Sequence, residues 1–258
     1  MLAVIGDVHG SIKTLKKLYY TLMDKYLIHR IVFLGDIVDR GLYSKEVVEF
    51  LMDRQGECLM TFLCGNHEYM LINSIENEKR YPNFCWHERV GLNTVASFMG
   101  ITIEEAAKKT QWEITPYFLP YMEFFNGFQE YYIEHTKKYK FLLSHAGPAF
   151  FDTPPHKQYE KCSKEEKNRH YPYMWHTKTK NYKSKYFDYI LIHGHEAIVN
   201  KNSTAEELDN VYPLIYKDSA GEVISINIDT GCCYHGKLTA IIIDENGNYT
   251  FEIIKCDD

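Results

Sequence analysis

Carboxylates, imidazoles and an amide recur at five places in this chain, each just behind a short apolar run. They are Asp7 with His9, Asp36 with Asp39 and Arg40, Asn66 with His67, His145 behind Ser144, and His195 behind His193 and Gly194. Carboxylate and amide oxygens mixed with imidazole nitrogens are ligands that Mn²⁺, Fe or Zn²⁺ accept. No thiol sits in these clusters, which argues against a soft-metal or iron–sulfur site. Singly, each group has an ordinary reading. Asp7 caps a helix, Asp36 and Asp39 stabilise a turn, Asn66 takes a left-handed position, and a histidine at a strand end is satisfied within a core. Five such groups in order, each at a strand terminus, outweigh the separate readings and point to a metal site.

The elements that must position these groups follow from periodicity. Residues 2–5, 30–34 and 58–63 read as strands, leading to Gly6-Asp7, Gly35-Asp36 and Gly65-Asn66. Between them, Ile12, Leu15, Leu18, Tyr19, Leu22 and Met23 recur at helical spacing behind a candidate Ser11 cap. Val47, Val48, Phe50 and Leu51 do the same behind Ser44. This alternation predicts parallel strands joined by right-handed crossovers. Ligands bind beyond the carboxyl ends of such strands, which would gather the five clusters. From Tyr69 onward helix formers and aromatics dominate, with no clear strand before Tyr139. That predicts a mainly helical insert over 69–135, its aromatics forming a core of their own. Strand character returns at 139–143, 189–192, 223–228, 238–243 and 249–254, the last two joined by the hairpin signal Asn246-Gly247. The expected fold is α/β, one catalytic domain over 1–258 with the 69–135 segment as a helical cap.

At 258 residues and 45% hydrophobic content, the chain can bury one substantial core. A formal net charge of −6 speaks against general nucleic-acid binding. There is no apolar run of the roughly 18 residues a membrane span needs, and no secretory leader is expected. Seven cysteines, with no paired CxxC spacing, indicate neither a disulfide framework nor a zinc ribbon, so a cytoplasmic setting is expected. Charge is uneven: between 156 and 185, nine Lys or Arg stand against three Glu. That segment is either a solvated rim or a basic lip that steers polyanions.

GDVHG at 6–10, GDIVDRG at 35–41, GNHE at 65–68, SHAG at 144–147 and GH at 194–195 resemble, in order, the motif series of the calcineurin-like metallophosphoesterases. The details Asp39-Arg40-Gly41 and Glu68 resemble the phosphoprotein phosphatase branch, which includes bacterial and phage serine/threonine protein phosphatases and symmetrical dinucleoside tetraphosphatases. Residues 227–231 and 236–239 are similar to the C-terminal strand of the bacterial members, so the likeness spans roughly 1–243. The resemblance implies a layered β-sandwich flanked by helices and two divalent metal ions, Mn²⁺ foremost, with Fe or Zn²⁺ as alternatives. It places Asp7, His9 and Asp36 on one ion, and Asn66, His145 and His195 on the other with Asp36 bridging. His67 would be the general acid, oriented by Asp39, and Arg40 would bind phosphate. Where the wider superfamily has a second His two places after the GH motif, this chain has Ala197. Where relatives carry a phosphate-binding Arg in W-x-R, it has Trp175-His176-Thr177-Lys178, leaving Lys178 as the candidate substitute.

The reaction so implied is in-line attack on a phosphomonoester by a hydroxide bridging ions about 3.5–4 Å apart, with His67 protonating the departing oxygen. The expected substrate is a phosphoserine or phosphothreonine protein. The alternative is a symmetrical dinucleoside polyphosphate, for which the basic segment and 21 tyrosines speak. A non-catalytic metal scaffold is disfavoured, because Asp7, His9, Asp36, Asp39, Arg40, Asn66, His67, His145 and His195 are all intact. No membrane and no stable nucleic-acid partner are expected. His193 reads as a core residue, His235 as surface loop, and Cys232-Cys233 as small hydrophobes.

Overall fold

The computed structural model describes residues 1–76, 86–162, 172–175 and 182–258. Among the described residues, ten strands form two five-stranded sheets. The first has the order β10-β9-β1-β2-β3, built from β1 (Leu2–Ile5), β2 (Arg30–Phe33), β3 (Leu59–Phe62), β9 (Lys237–Ile243) and β10 (Tyr249–Lys255). The second has the order β4-β5-β6-β8-β7, built from β4 (Tyr131–His135), β5 (Lys140–Ser144), β6 (Tyr189–His193), β7 (Leu214–Lys217) and β8 (Val223–Asn227). Strands β1, β2 and β3 run parallel, with Val4 beside Val32 and Val32 beside Thr61, as the strand–helix alternation predicts. In the second sheet β5, β6 and β8 are parallel as well.

Period-two alternation sorts each strand between two cores. Leu2 and Val4 of β1 point inward, with Val32, Leu34, Phe141, Leu143, Ile190, Ile192, Ile226 and Ile241, to fill the space between the sheets. Ala3 and Ile5 point outward, where α1 (Ile12–Lys25) and α2 (Ser44–Arg54) cover them with Leu15, Leu18, Leu22, Val47 and Leu51. Both faces of β1 are thus buried, which is why its sequence is an unbroken apolar run. The layered β-sandwich flanked by helices is the fold observed.

Four local expectations change. Ser11 precedes α1 but makes no side-chain cap. The Asp258 carboxylate instead accepts from the backbone N–H of Lys13 at 2.9 Å and of Thr14 at 3.0 Å, capping the helix from the far end of the chain. Ser44 is the first residue of α2 rather than its cap, and its Oγ accepts from Asp39 N. Within the expected insert, residues 77–85 lie outside the described residues; the described helices are α3 (Asn66–Glu76), a π-helical turn (His87–Gly91), α4 (Leu92–Met99), α5 (Ile103–Ala106), α6 (Gln111–Phe118) and α7 (Met122–Asn126), after which helix stops. Gln129 returns the chain to the edge of β3, and β4 follows inside the span expected to be helical. Its half-buried Tyr-Tyr-Ile-Glu-His pattern carries a weak strand signal, and pairing with β5 decides its state. The edge strand β7, largely exposed, was not expected for the same reason. No helix of the described residues is long and apolar enough to cross a membrane.

Candidate metal centre

The loops that leave the carboxyl ends of β1, β2, β3, β5 and β6 carry the five clusters to one place. His9, Asp36, Asp39, Arg40 and His195 all have positive φ, between 46° and 67°. Holding a residue with a Cβ there costs of order 1–3 kcal/mol each, so surrounding contacts must enforce the shape. Glu68 supplies much of that enforcement. Its two carboxylate oxygens accept from the backbone N–H of Asp36 (2.7 Å), Ile37 (2.9 Å), Gly65 (3.0 Å) and Val38 (3.3 Å). Gly65 is needed beside it, because a Cβ there would overlap Asp36 Oδ1.

Asp36 is the hub. Its Oδ2 lies 3.4 Å from His9 Nε2, 3.4 Å from His145 Nε2 and 3.9 Å from His67 Nε2. Burial would raise its pKa, but His145, His67, His9 and Arg40 outweigh that and hold the carboxyl far below its ordinary range. His9 Nδ1 meets the Val38 carbonyl at 2.8 Å, and His145 Nδ1 meets that of Leu34 at 3.1 Å. A carbonyl only accepts, so each Nδ1 carries the proton and each Nε2 presents a lone pair inward. Burial keeps both rings neutral by lowering their pKa.

A second knot of acceptors adjoins the first. His145 Nε2, Asn66 Oδ1 and His195 Nδ1 lie 3.0–3.1 Å from one another. Burial, then His145, pushes the His195 pKa down to about 3. Lone pairs converging on a carboxylate at such distances are what a cation reconciles, and His9 Nε2 is buried with no hydrogen-bond partner. The donor set therefore fits divalent ions by its own geometry. Two groups of mutually close ligands share Asp36: His9, Asp36 and His67, and Asp36, His145 and His195.

Asp7 stands outside both groups. Its carboxylate accepts from the backbone N–H of His195 at 3.2 Å, and Gly194 is required because a Cβ there would overlap Asp7 Oδ1. Burial, Asp229 and Asp36 together raise the Asp7 pKa well above normal. Asp229 was absent from the sequence reading as a site residue. It is 3% exposed, its Oδ1 accepts from Gly231 N at 3.1 Å, and its Oδ2 is buried without a partner. Burial lifts its pKa to about 6. The signal was present, since Asp229 follows the apolar strand β8 as Asp7 follows β1.

The His67–Asp39 pair adjoins this cluster. His67 Nδ1 meets Asp39 Oδ2 at 2.7 Å, with both side chains buried. Burial would lower the His67 pKa, but Asp36 and Asp39 override it and hold the ring above its ordinary value. Arg40 lies at the mouth with a guanidinium nitrogen 3.4 Å from His67 Nε2, another 3.6 Å from Cys233 Sγ, and its charge 5.4 Å above the Tyr234 ring. Cys233 and Tyr234 were not anticipated here, whereas Cys232 is buried and His235 is exposed as expected. His193 is buried, with Nδ1 3.0 Å from the Gly194 carbonyl and its pKa pushed by burial down to about 4. Trp175 places its ring 6.3 Å from that of His195. Lys178 and much of the basic segment lie outside the described residues; of the rest, Lys161 pairs with Asp152 and Lys185 with Glu222.

The family model for calcineurin-like phosphoesterases matches residues 1–224. Two curated proteins named bis(5'-nucleosyl)-tetraphosphatase PrpE (asymmetrical) are similar. That of Oceanobacillus iheyensis is 25% identical over 257 residues, 92% of this chain and 86% of that protein. That of Bacillus subtilis (strain 168) is 27% identical over 152 residues, 56% of each. Among solved structures, a metallophosphoesterase from Sphaerobacter thermophilus superposes with a TM-score of 0.52 at 16% identity, covering 99% of this chain and 88% of that one.

Proposed function

This chain belongs to the calcineurin-like phosphoesterase family, metal-dependent hydrolases of phosphate esters, and from that membership we propose that it hydrolyses phosphomonoesters of alcohols such as phosphoserine and phosphothreonine. The observation that carries the reading is the His67–Asp39 contact of 2.7 Å beside the Asp36 hub. An alkoxide is a poor leaving group and needs a proton in the transition state. Asp39 fixes the proton on Nδ1, so that Nε2 faces the cluster and delivers the second one. Arg40 at the mouth offers the planar guanidinium that pairs with two phosphate oxygens. Asp7, His9, Asp36, Asn66, His145 and His195 would hold two divalent ions, Mn²⁺ foremost and Fe or Zn²⁺ otherwise, and Asp229 would support the Asp7 side. Those ions, when bound, supply a hydroxide from water near neutral pH and offset charge on the phosphoryl oxygens. Residues 1–258 act in this reading as one catalytic domain, capped by the helices of the 69–135 insert, whose last residues belong to the second sheet as β4.

A second reading, hydrolysis of a dinucleoside polyphosphate, is favoured by the names of the two curated relatives. Its leaving group is a phosphate, which needs less help from an acid. Rates on a phosphothreonine peptide and on diadenosine tetraphosphate, measured side by side with Mn²⁺ present, separate the two. A kcat/KM higher on the peptide supports the first reading; a preference for the dinucleotide replaces it with the second.

A further inference from the structure

Trp86 and Thr94 belong to the helical stretch, 47 and 55 residues beyond Asp39, yet both end on its carboxylate. Trp86 Nε1 donates to Asp39 Oδ2 at 2.8 Å, the same oxygen that meets His67 Nδ1. Thr94 Oγ1 donates to Asp39 Oδ1 at 2.6 Å. Asp39, Trp86 and Thr94 are fully buried, and His67 is 3% exposed. We propose that Trp86 and Thr94 are positioning residues for the acid, locking the Asp39 carboxylate so that His67 presents Nε2 in one orientation. The inference rests on His67 being the acid of the proposed reaction.

The direction of each bond is forced. An indole N–H can only donate, and an ionised carboxylate can only accept. Thr94 Oγ1 spends its single proton on Asp39 Oδ1 and uses its lone pairs for Asp39 N (2.9 Å) and Ser44 Oγ (3.0 Å). The Ser44 hydroxyl then donates to Thr94, and its own lone pair receives Asp39 N at 3.2 Å. Nothing in this knot can turn over without leaving a buried polar atom unpaired. A carboxylate torsion is otherwise broad and nearly two-fold, so a donor on each oxygen removes a freedom that His67 would share. The π-helical turn serves the same end: Gly91 packs against the Trp86 ring so closely that a Cβ would overlap it. Charge-assisted bonds at zero exposure exceed what the aromatic core around Phe98 and Phe118 needs for packing alone.

The test uses Mn²⁺-loaded full-length protein, with β-glycerophosphate as an alkyl ester and p-nitrophenyl phosphate as an activated aryl ester. Trp86→Phe and Thr94→Val are expected to lower kcat on the alkyl ester roughly 10- to 100-fold. KM and aryl turnover should stay within about twofold, and Thr94→Ser, which keeps the hydroxyl, should restore alkyl turnover. Equal losses on both esters, or Thr94→Ser no better than Thr94→Val, overturn the proposal. Should Trp86→Phe fail to fold, the Thr94 pair decides alone. His67→Ala is run alongside: equal losses on both esters in that variant sink the general-acid reading, and this inference with it. A selective alkyl loss in His67→Ala that the other variants lack sinks the inference only.

Discussion

The carboxylate of Asp7 accepts a hydrogen bond from the backbone N–H of His195, at 3.3 Å to one oxygen and 3.2 Å to the other, joining loops 188 residues apart. Asp7 follows a strand of the first sheet and His195 a strand of the second. The candidate ligand set therefore straddles the sandwich, and Asp36 meets His145 across the same divide. Any change that slides one sheet over the other should disturb the whole set.

Hydrolysis of p-nitrophenyl phosphate should depend on added Mn²⁺, vanish on exhaustive chelation and return when the ion is restored. Lone pairs packed 3.0–3.1 Å apart around His145 give the reason. Full turnover after chelation, verified by elemental analysis, would refute metal dependence.

Asp36→Asn should lower the content of both ions together, because Asp36 Oδ2 is 3.4 Å from an imidazole of each ligand group. Metal per chain, measured by plasma mass spectrometry after dialysis, reads this directly. Two ions retained at wild-type occupancy would contradict a shared carboxylate.

Glu68→Gln should destabilise the fold by about 1–3 kcal/mol. The substituted amide keeps one acceptor oxygen and turns an NH₂ toward N–H donors that the carboxylate now satisfies. A urea midpoint equal to that of the native protein would mean the loop 35–38 holds its shape without this charge.

Asp258→Ala should cost about 1 kcal/mol, the usual worth of a helix N-cap. The lost bonds are those to Lys13 N, Thr14 N and Thr14 Oγ1, at 2.9, 3.0 and 2.7 Å. Thermal unfolding that matches the native protein would show that the α1 N-terminus is satisfied by water alone.

Much of the fold was readable along the chain. Runs such as Leu2–Ile5 are apolar on both faces, and Leu15, Leu18 and Leu22 recur at helical spacing, so local pattern and tertiary burial agree. It failed at β4 and β7, whose residues are half-buried or exposed and gain strand character from their neighbours. Ser11 and Ser44 carried local capping signals that distant partners overrode: Asp258 reaches the first helix, and Ser44 turns to Asp39 and Thr94.

Residue order along the chain carried the inventory: which residue types stand at which strand ends, and hence that carboxylate, imidazole and amide side chains follow one another in the order of a metallophosphoesterase. Chain spacing sufficed because each group follows its own strand, and the strand's direction delivers it to one edge. The support around those groups came from packing. Cys233 and Tyr234 embrace Arg40, and Trp86 and Thr94 fasten Asp39. Those contacts join residues 47 to 194 positions apart, and no local periodicity encodes a partner so distant. They arise when burial leaves a polar atom no water to turn to, and it pairs with whatever the packed layers bring within reach.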